Sequence, residues 1–481
     1  MELAFQSAVS LTAAIRERRV GCLELLEHFI SRVERFNPDL NAIVVLDFER
    51  ARGRAREADA ALARGEVWGP LHGLPMTVKD SYDVAGLPTT WGVSELRDNV
   101  PKTNAVAIER LLAAGAVIFG KTNVPYNLAD FQSYNDIYGT TNNPWDLERV
   151  PGGSSGGAAA ALAAGLTGLE TGSDIGGSIR NPAHYCGVYG HKPTWGVLPL
   201  RGHAKPGVLA PADISVIGPL ARDAGDLALA VDVMAGPDRI EANGWKLELP
   251  RPEGRAPGDW RIAVWADDEF CPVDHAVRDA VLRAADALRA AGAGVDYEAR
   301  PGFDLTEASD VYMGLLQSAL SARHSDEEFR NTLERVAGLR DDDTTPRAQR
   351  LRAGTMHHRD WILTHERRTR LRWAWREFFD GFDALLCPIA CIPAFPHDQQ
   401  RDMDARRITV NGMSREYWDQ LFWAGLTGVA FLPATVAPAA SEGLPIGVQI
   451  VGPEGGDYAT IEIARQLGAL IGGFRPPPGY A

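Results

Sequence analysis

The sequence predicts an α/β protein, because short apolar runs typical of buried strands alternate with amphipathic stretches typical of helices. The chain has 481 residues, of which 45% are hydrophobic and 23% are charged. This composition is that of a globular protein with a large core. The alternation by itself favours a mostly parallel sheet. The length, at about 100–200 residues per domain, suggests two or more domains or one unusually large one.

The first 120 residues give the order helix, helix, strand, helix, strand, helix, strand. Ser10 is expected to cap a helix that runs to Arg19 and stops at Gly21, and a second helix follows with apolar residues at helical spacing. The next expected elements are a strand at 42–46, a helix at 49–64, a strand at 76–78, a helix at 108–114 and a strand at 116–119.

The second half returns to the same alternation after an interruption. Residues 237–259 are rich in proline, glycine and charge and are expected to form a linker or excursion. The later expected elements are strands at 261–264, 384–387, 433–436 and 446–451, with helices at 275–291 and 458–470. No internal repeat of fixed period is evident.

Between these elements, residues 305–380 are expected to form a helical cap or insertion. Arginines are frequent there and are interleaved with Trp361, Trp373 and Trp375. One interpretation is a basic and aromatic binding surface. The favoured one is a solvated helix face whose aromatic side chains turn inward.

Composition and charge exclude several classes of protein. The net charge of −14 and pI near 5.3 give no global basic field for nucleic acid. No signal-peptide pattern and no apolar run of about 18 residues is present, so we expect a cytoplasmic location and no membrane partner. Five cysteines are too few and odd in number for a disulfide framework and are expected to be buried thiols. No metal-ligand spacing occurs, and we expect neither a metal nor a cofactor.

The most informative segment is residues 151–194, which contains two serines framed by glycines. Ser154 and Ser178 lie 24 residues apart. Glycines let the backbone approach a ligand closely and turn several N–H groups toward one point, as an oxyanion hole requires. Upstream, Lys79 follows an apolar stretch at 74–78, so it could be buried enough to act as a base.

Two other motif matches compete with this interpretation. Residues 115–122, GAVIFGKT, fit the phosphate-loop pattern, but residues 116–119 are themselves the expected strand, which leaves no loop. Lys121 is then expected to be a surface or structural lysine. Residues 152–156, GGSSG, fit a nucleophile elbow centred on Ser154, although the residues before it are polar and end in proline. A triad would then recruit an acid and a histidine such as His184, His191 or His203.

Taken together, these residues resemble the amidase signature family. The resemblance rests on Lys79, on GGSSGG at 152–157 and on DIGGSIRNPAHYCGVYGHKPT at 174–194. It continues through KTN at 121–123, NNPWD at 142–146 and GLPIGVQIVGP at 443–453. It implies one α/β/α domain over residues 1–481, built around a large, mixed, twisted sheet, with the helical insertion at 305–380 inside it.

The resemblance also assigns roles to individual residues. Ser178 takes the position of the nucleophile and Lys79 that of the base. Ser154 takes the position of the bridging serine, which a cis peptide bond precedes in the family. A serine hydroxyl needs a proton acceptor within hydrogen-bond reach, and lysine accepts only when neutral, so its pKa must fall from about 10.4 toward 7 or 8.

The resemblance extends to the surroundings of the nucleophile. The oxyanion hole is expected from the backbone N–H groups of Ile175, Gly176, Gly177 and Ser178. Ser155, Asp174 and Arg180 are expected to brace this loop, and a simple local ion pair is the alternative for the last two. Leu128 corresponds to a residue that lines the acyl pocket in relatives, or is a plain core leucine.

The function implied is hydrolysis of an amide C–N bond through an acyl-enzyme, with esters, carbamates and urethanes as further substrates. The alternative is the A subunit of a tRNA-dependent amidotransferase, although residues 196–219 differ from the usual sequence of that subunit. A third class is an inactive binding module, which the complete set of Lys79, Ser154 and Ser178 disfavours. The expected partner is a small-molecule substrate, and a homodimer is left open.

Overall fold

The computed structural model describes residues 2–440 and 443–481 and forms an α/β fold. The strands are β1 (Ile43–Leu46), β2 (Pro75–Lys79), β3 (Val117–Thr122), β4 (Tyr134–Asn135), β5 (Gly139–Thr140), β6 (Glu170–Asp174), β7 (Tyr189–Lys192), β8 (Val216–Ala221), β9 (Arg261–Val264), β10 (Gly294–Asp296), β11 (Ala384–Cys387), β12 (Arg407–Val410), β13 (Met413–Glu416), β14 (Ala434–Ala440) and β15 (Ile446–Val451).

Helices separate most of these strands in the chain. They are α1 (Ala8–Arg16), α2 (Cys22–Leu40), α3 (Phe48–Ala63), α4 (Val106–Ala113), α5 (Gly156–Ala163), α6 (Arg180–Cys186), α7 (Ala224–Met234), α8 (His275–Ala290), α9 (Leu305–Ser321), α10 (Asp326–Ala337), α11 (Pro346–Gly354), α12 (His358–Gly381), α13 (Phe422–Gly428) and α14 (Asp457–Ile471). Most of the strands and helices expected from the sequence are present, with ends displaced by a few residues.

The main sheet has eight strands in the order β10-β9-β11-β15-β14-β7-β8-β6. Only β9 pairs in parallel, with β10 and β11, and the other neighbours are antiparallel. The expectation of a mostly parallel sheet is therefore wrong, and the mixed sheet is confirmed. The order strand, helix, strand of β6, α6 and β7 is typical of a parallel pair. Here, however, β8 lies between β6 and β7 and runs antiparallel to both, so the two strands do not pair with each other.

A smaller sheet of order β1-β3-β2 lies next to the β6 edge of the main sheet, because β2 contacts β6. Strand β3 continues to Thr122, past the expected end, and pairs there with the last residue of β2. The phosphate-loop pattern thus lies in a strand. Lys121 is buried, and its Nζ donates to the Pro88 carbonyl at 2.5 Å and to Thr89 Oγ1 at 2.8 Å, so it is a structural lysine and not a surface one.

The first helix begins earlier than the sequence suggests. Ser7 and not Ser10 is the N-cap of α1, and its hydroxyl accepts the Ser10 N–H at 3.1 Å. The Asp226 carboxylate of α7 accepts the N–H groups of Ala8 and Val9 at 2.8 and 2.9 Å. A side chain that is distant in the sequence therefore helps to set the start of α1.

The excursion and the helical segment occur where they are expected. In residues 237–259 the described structure has 3-10 turns at Glu241–Asn243 and Pro257–Asp259 and neither an α-helix nor a strand. Helices α9 to α12 occupy the range of the expected insertion. Trp375 is buried, whereas Trp373 is 66% exposed, so the aromatic side chains do not all turn inward.

Both faces of the main sheet are buried at its central strands. In β11, Leu386 packs into one apolar cluster and Leu385 into another, as the period of two along a strand requires. All five cysteines are free and buried, which confirms the expectation of buried thiols. In the described residues, no helix combines the length and apolarity that a membrane crossing needs.

Truncation of Leu386 tests the central packing. Leu386→Ala removes a fully buried side chain from a central strand, so we expect the free energy of unfolding to fall by about 2–5 kcal/mol. Leu470→Ala, at a position that is 44% exposed, is the matched control and should change it by less than about 0.5 kcal/mol. Urea unfolding followed by circular dichroism measures both, and equal losses would contradict the assignment of β11 to the core.

Candidate active site

Lys79 is the last residue of β2, and its side chain is fully buried among serine hydroxyls. Its Nζ lies 2.7 Å from Ser154 Oγ, 2.9 Å from Ser155 Oγ and 2.9 Å from Ser173 Oγ. Ser173 was not anticipated from the sequence. It lies on β6 beside β2, and only the packing of the two sheets reveals its contact with the lysine.

The surroundings of Lys79 favour its neutral form. Burial lowers the pKa of Lys79 well below its usual value, with a further contribution from Arg323, although Asp174, Glu170 and Asp80 oppose the shift. A neutral amine has two N–H donors and one lone pair, whereas three hydroxyls surround this nitrogen. In the neutral form, one hydroxyl therefore donates its proton to Nζ, which is the contact that a general base needs.

Ser154 and Ser155 lie at the start of α5, where the chain turns from a loop into the helix. The peptide bond between Gly153 and Ser154 is cis, as the resemblance implies. The Ser155 N–H donates to the Ser178 carbonyl at 3.1 Å, so the two glycine-framed segments are in direct contact. Ser178 is nearly buried and lines a cavity, which leaves it accessible to a small ligand.

A buried ion pair holds the loop that carries Ser178. Asp174 ends β6 and Arg180 begins α6, and the two side chains form paired hydrogen bonds of 2.8 and 3.0 Å. Asp174 also accepts the N–H groups of Gly177 and Ile179. Burial opposes the ionisation of Asp174, but the charge and hydrogen bonds of Arg180 outweigh it and lower the pKa to about 2.

Arg180 extends this support beyond the loop. Its Nη1 donates to the Ala424 carbonyl, Thr427 Oγ1 and Gln449 Oε1 at 2.9, 3.0 and 2.6 Å. These acceptors belong to α13 and β15, so the arginine connects the loop to two distant segments. The pair is therefore more than a local ion pair between neighbouring residues.

The backbone of the loop is shaped for a ligand. Gly177 has a φ of +106°, a conformation that strains any residue with a side chain, and a Cβ at Gly176 would lie 2.8 Å from Leu421 and 2.9 Å from the Tyr312 hydroxyl. The Gly177 N–H is already donated to Asp174 at 2.8 Å. Among the described residues, the N–H groups of Ile175, Gly176 and Ser178 have no protein acceptor and are the free donors of this loop.

Ser178 opens onto a cavity of about 310 Å³. Leu128, Gly176 and Ile175 line it together with residues of α9, α10 and α11. Leu128 packs at the same time against Trp91 and two valines, and its role in an acyl pocket stays a prediction. A second cavity of about 770 Å³ lies beside the first and shares Arg350, Trp418 and Leu421 with it.

The histidines of the rival triad lie elsewhere. His191 contacts Thr435 Oγ1 and the Asp457 carboxylate, and His184 lies between the backbones of Ile392 and Gly447. His203 contacts Ser81 Oγ at 2.9 Å. None of these described rings contacts Ser154 or Ser178. The alternative prediction, a nucleophile elbow at Ser154 with a histidine triad, is therefore wrong. Ser154 also lacks the buried strand that an elbow needs before it. Among the described residues, no group of three or more metal-ligating side chains gathers.

Comparison with known proteins shows the family to which the chain belongs. A family model described as Amidase matches residues 24–461. The indoleacetamide hydrolase of Bradyrhizobium diazoefficiens is 32% identical over 92% of this chain and 82% of its own length. The A subunit of the glutamyl-tRNA(Gln) amidotransferase from an Anaeromyxobacter species is 32% identical over 97% of this chain and 96% of its own. A crystal structure of an amidase has a TM-score of 0.79 and 29% identity, covering 97% of this chain and 100% of the other.

The fold and the match together define the class of protein: an α/β enzyme that hydrolyses amide C–N bonds. The chain belongs to the amidase family, because the family model covers most of its length. The resemblance seen in the sequence is thereby confirmed.

Removing the carboxylate of Asp174 tests the support of the loop. Asp174→Asn leaves the buried Arg180 without its counter-charge, and we expect the free energy of unfolding to fall by about 3–5 kcal/mol at pH 7. Asp146→Asn, which breaks a partly exposed pair with Arg149, is the control and should cost less than about 1 kcal/mol.

The same pair predicts a pH dependence. The pKa of Asp174 in the folded protein, about 2, is below the unfolded value of about 3.9, so its contribution is complete above about pH 4 and is lost as the pH falls toward 2. Urea unfolding at several pH values should show this loss in the unchanged protein and not in Asp174→Asn. An equal acid loss in both proteins would contradict it.

Proposed function

We propose that the protein cleaves amides through an acyl-enzyme on Ser178, with Ser154 as the proton relay and Lys79 as the base. The observation that carries this proposal is the burial of Lys79 with its Nζ 2.7 Å from Ser154 Oγ. A buried amine surrounded by hydroxyls is a proton acceptor, and the contact between Ser155 and the Ser178 backbone brings the nucleophile's loop to it.

In the first half of the reaction, Ser178 Oγ attacks the carbonyl carbon. Its proton passes to Ser154 Oγ while Ser154 gives its own proton to Lys79 Nζ. The carbonyl oxygen becomes an oxyanion, and the backbone N–H groups of Ile175, Gly176 and Ser178 are the donors that face it. Each such donor is worth about 2.7–4 kcal/mol of transition-state stabilisation. Gly177 contributes the shape of the loop, since its own N–H is engaged by Asp174.

The second half returns the protons. Lys79 gives its proton back to Ser154, and Ser154 protonates the nitrogen of the leaving amine as the C–N bond breaks. The acyl group is then an ester of Ser178. Water attacks this ester while the relay again takes a proton, and release of the carboxylic acid restores the Ser178 hydroxyl.

Esters, carbamates and urethanes are further proposed substrates. Each has a carbonyl that Ser178 can attack and a leaving alcohol or amine that the relay can protonate. The size of the cavity, about 310 Å³, suits a small or medium-sized substrate. The indoleacetamide hydrolase among the relatives supports an amide with an aromatic acyl group as one test substrate.

The second candidate function is that of the A subunit of an amidotransferase. It is favoured by the 32% identity to such a protein over 97% of this chain. In that case the amide nitrogen would be passed on as ammonia in a complex with partner subunits. Rapid hydrolysis of simple amides by the purified single chain would exclude this candidate.

The pH profile of kcat/KM tests the base. Because the neutral form of Lys79 is the active one, kcat/KM should rise with pH to a plateau, with a midpoint well below the usual lysine value. Lys79→Met should lose about 10²-fold or more of the activity, together with this rising limb. If kcat/KM of Lys79→Met still rises with pH in the same way, a group other than Lys79 is responsible for the pH dependence.

Loss of the two serines tests nucleophile and relay. Ser178→Ala should lower kcat/KM on an aryl amide by about 10³-fold or more, and Ser154→Ala by about 10²-fold or more. Ser94→Ala, at an exposed position, is the matched control. With a slowly deacylated substrate, mass spectrometry should place the acyl group on Ser178. An acyl group found on Ser154, or retained hydrolysis in Ser178→Ala, would overturn the assignment.

A further inference from the structure

One side chain of the helical segment touches the loop that carries Ser178. Tyr312 lies on α9, and its side chain is buried. Its hydroxyl donates to the backbone carbonyl of Ile175 at 3.4 Å, and a Cβ on Gly176 would lie 2.9 Å from the same hydroxyl. Tyr312 therefore lies directly against the peptide bond that joins Ile175 to Gly176.

The ring of Tyr312 is held in place by α13. A Cβ on Gly425 would lie 2.1 Å from the ring, so a glycine at this position is what lets the helix approach the tyrosine so closely. The residue before it, Ala424, provides the carbonyl that accepts a hydrogen bond from Arg180. Tyr312 and Arg180 thus connect the Ser178 loop to the same helix. The position of the hydroxyl is consequently set by packing.

The Tyr312 hydroxyl and the Ile175 carbonyl depend on each other. Burial raises the pKa of Tyr312 well above its usual value, so the hydroxyl keeps its proton and can donate it. Among the described residues, neither group has another hydrogen-bond partner. The contact is long for an O–H···O bond, but its loss would leave a buried carbonyl without a protein donor.

The orientation of this peptide bond decides where the Gly176 N–H points. The peptide is trans, because the only cis peptide of the described residues joins Gly153 to Ser154. In a trans peptide, the carbonyl and the N–H point in opposite directions. Since the carbonyl points to Tyr312, which lines the cavity of about 770 Å³, the N–H points away from that side. Gly176 also lines the cavity of Ser178.

We propose that Tyr312 is a positioning residue for the oxyanion hole. Its hydroxyl holds the Ile175 carbonyl, and the Gly176 N–H at the other side of the same peptide then faces the oxyanion that forms when Ser178 attacks. A donor that is oriented before the reaction needs no reorganisation in the transition state. This inference rests on the proposed function, because it requires the oxyanion of that reaction. It gives the helical segment a part in the chemistry.

Removal of the hydroxyl alone tests the proposal. We expect Tyr312→Phe to lower kcat on phenylacetyl 4-nitroanilide by about 10-fold and to change KM by less than about 2-fold, because the N–H acts only once the oxyanion forms. Tyr458→Phe is the matched control. It also removes a hydroxyl of a buried tyrosine, one that contacts Asp232 outside both cavities, and should leave kcat and KM unchanged.

A boronic acid tests the same donor without turnover. Ser178 Oγ adds to the boron of benzylboronic acid and its proton passes to the relay, which gives a tetrahedral boronate with an oxygen at the position of the oxyanion. We expect isothermal titration to show that the boronic acid binds the unchanged protein and binds Tyr312→Phe about 10-fold more weakly. Tyr458→Phe should bind it like the unchanged protein.

The outcomes separate this inference from the proposed function. Unchanged kcat and unchanged boronate binding in Tyr312→Phe would overturn the role of Tyr312 alone. So would a rise in KM that accounts for the whole loss of kcat/KM, since this would indicate a general disturbance of the cavity. If the unchanged protein does not bind the boronic acid at all, Ser178 is not the nucleophile, and the proposed function fails together with this inference.

Discussion

The buried ion pair of Asp174 and Arg180 is the interaction on which the site depends. Asp174 ends a strand, Arg180 begins a helix, and the loop between them carries Ser178. The carboxylate accepts backbone N–H groups of that loop, while the guanidinium reaches acceptors on α13 and β15. An isolated buried ion pair adds little net stability, but the hydrogen bonds from Gly177 and Ile179 to Asp174 also fix the backbone of the loop that carries Ser178. Rigid support of this kind holds the backbone of the loop in one conformation.

The surroundings of Lys79, the proposed base, differ from those of this ion pair. Lys79 is buried with hydroxyls and not with a carboxylate in direct contact, so it can be neutral and still be fully hydrogen-bonded. Burial raises the pKa of nearby Glu170 to about 8, so this carboxyl is largely protonated at neutral pH. An ionised Glu170 would favour protonated Lys79, because its negative charge stabilises the ammonium. Burial of both groups, together with the positive charge of Arg323, thus favours the neutral form of Lys79.

Many elements of the fold could be predicted from the sequence alone. The strand at Ala384–Cys387 and the strand at Ile446–Val451 have the expected ends, because short apolar runs bounded by turn residues are local patterns. The direction of the strands could not be predicted from such patterns, since β8 inserts between β6 and β7. The start of α1 was also missed. Ser7 and Ser10 are both good caps, and Asp226, more than 200 residues away, contacts the N-terminus of that helix.

The candidate chemical groups could be recognised without a structure: a lysine after an apolar run, two serines framed by glycines, and an acidic and a basic residue around the second serine. The resemblance that these motifs carry led to the amidase family, which the comparisons confirm. Which of these groups meet became clear from the packing of the strands and helices. Ser173 lies against Lys79, and Arg180 reaches acceptors on α13 and β15. These contacts join strands and helices that are distant in the chain, and because hydrogen bonds depend on distance in space, a local sequence pattern does not reveal them.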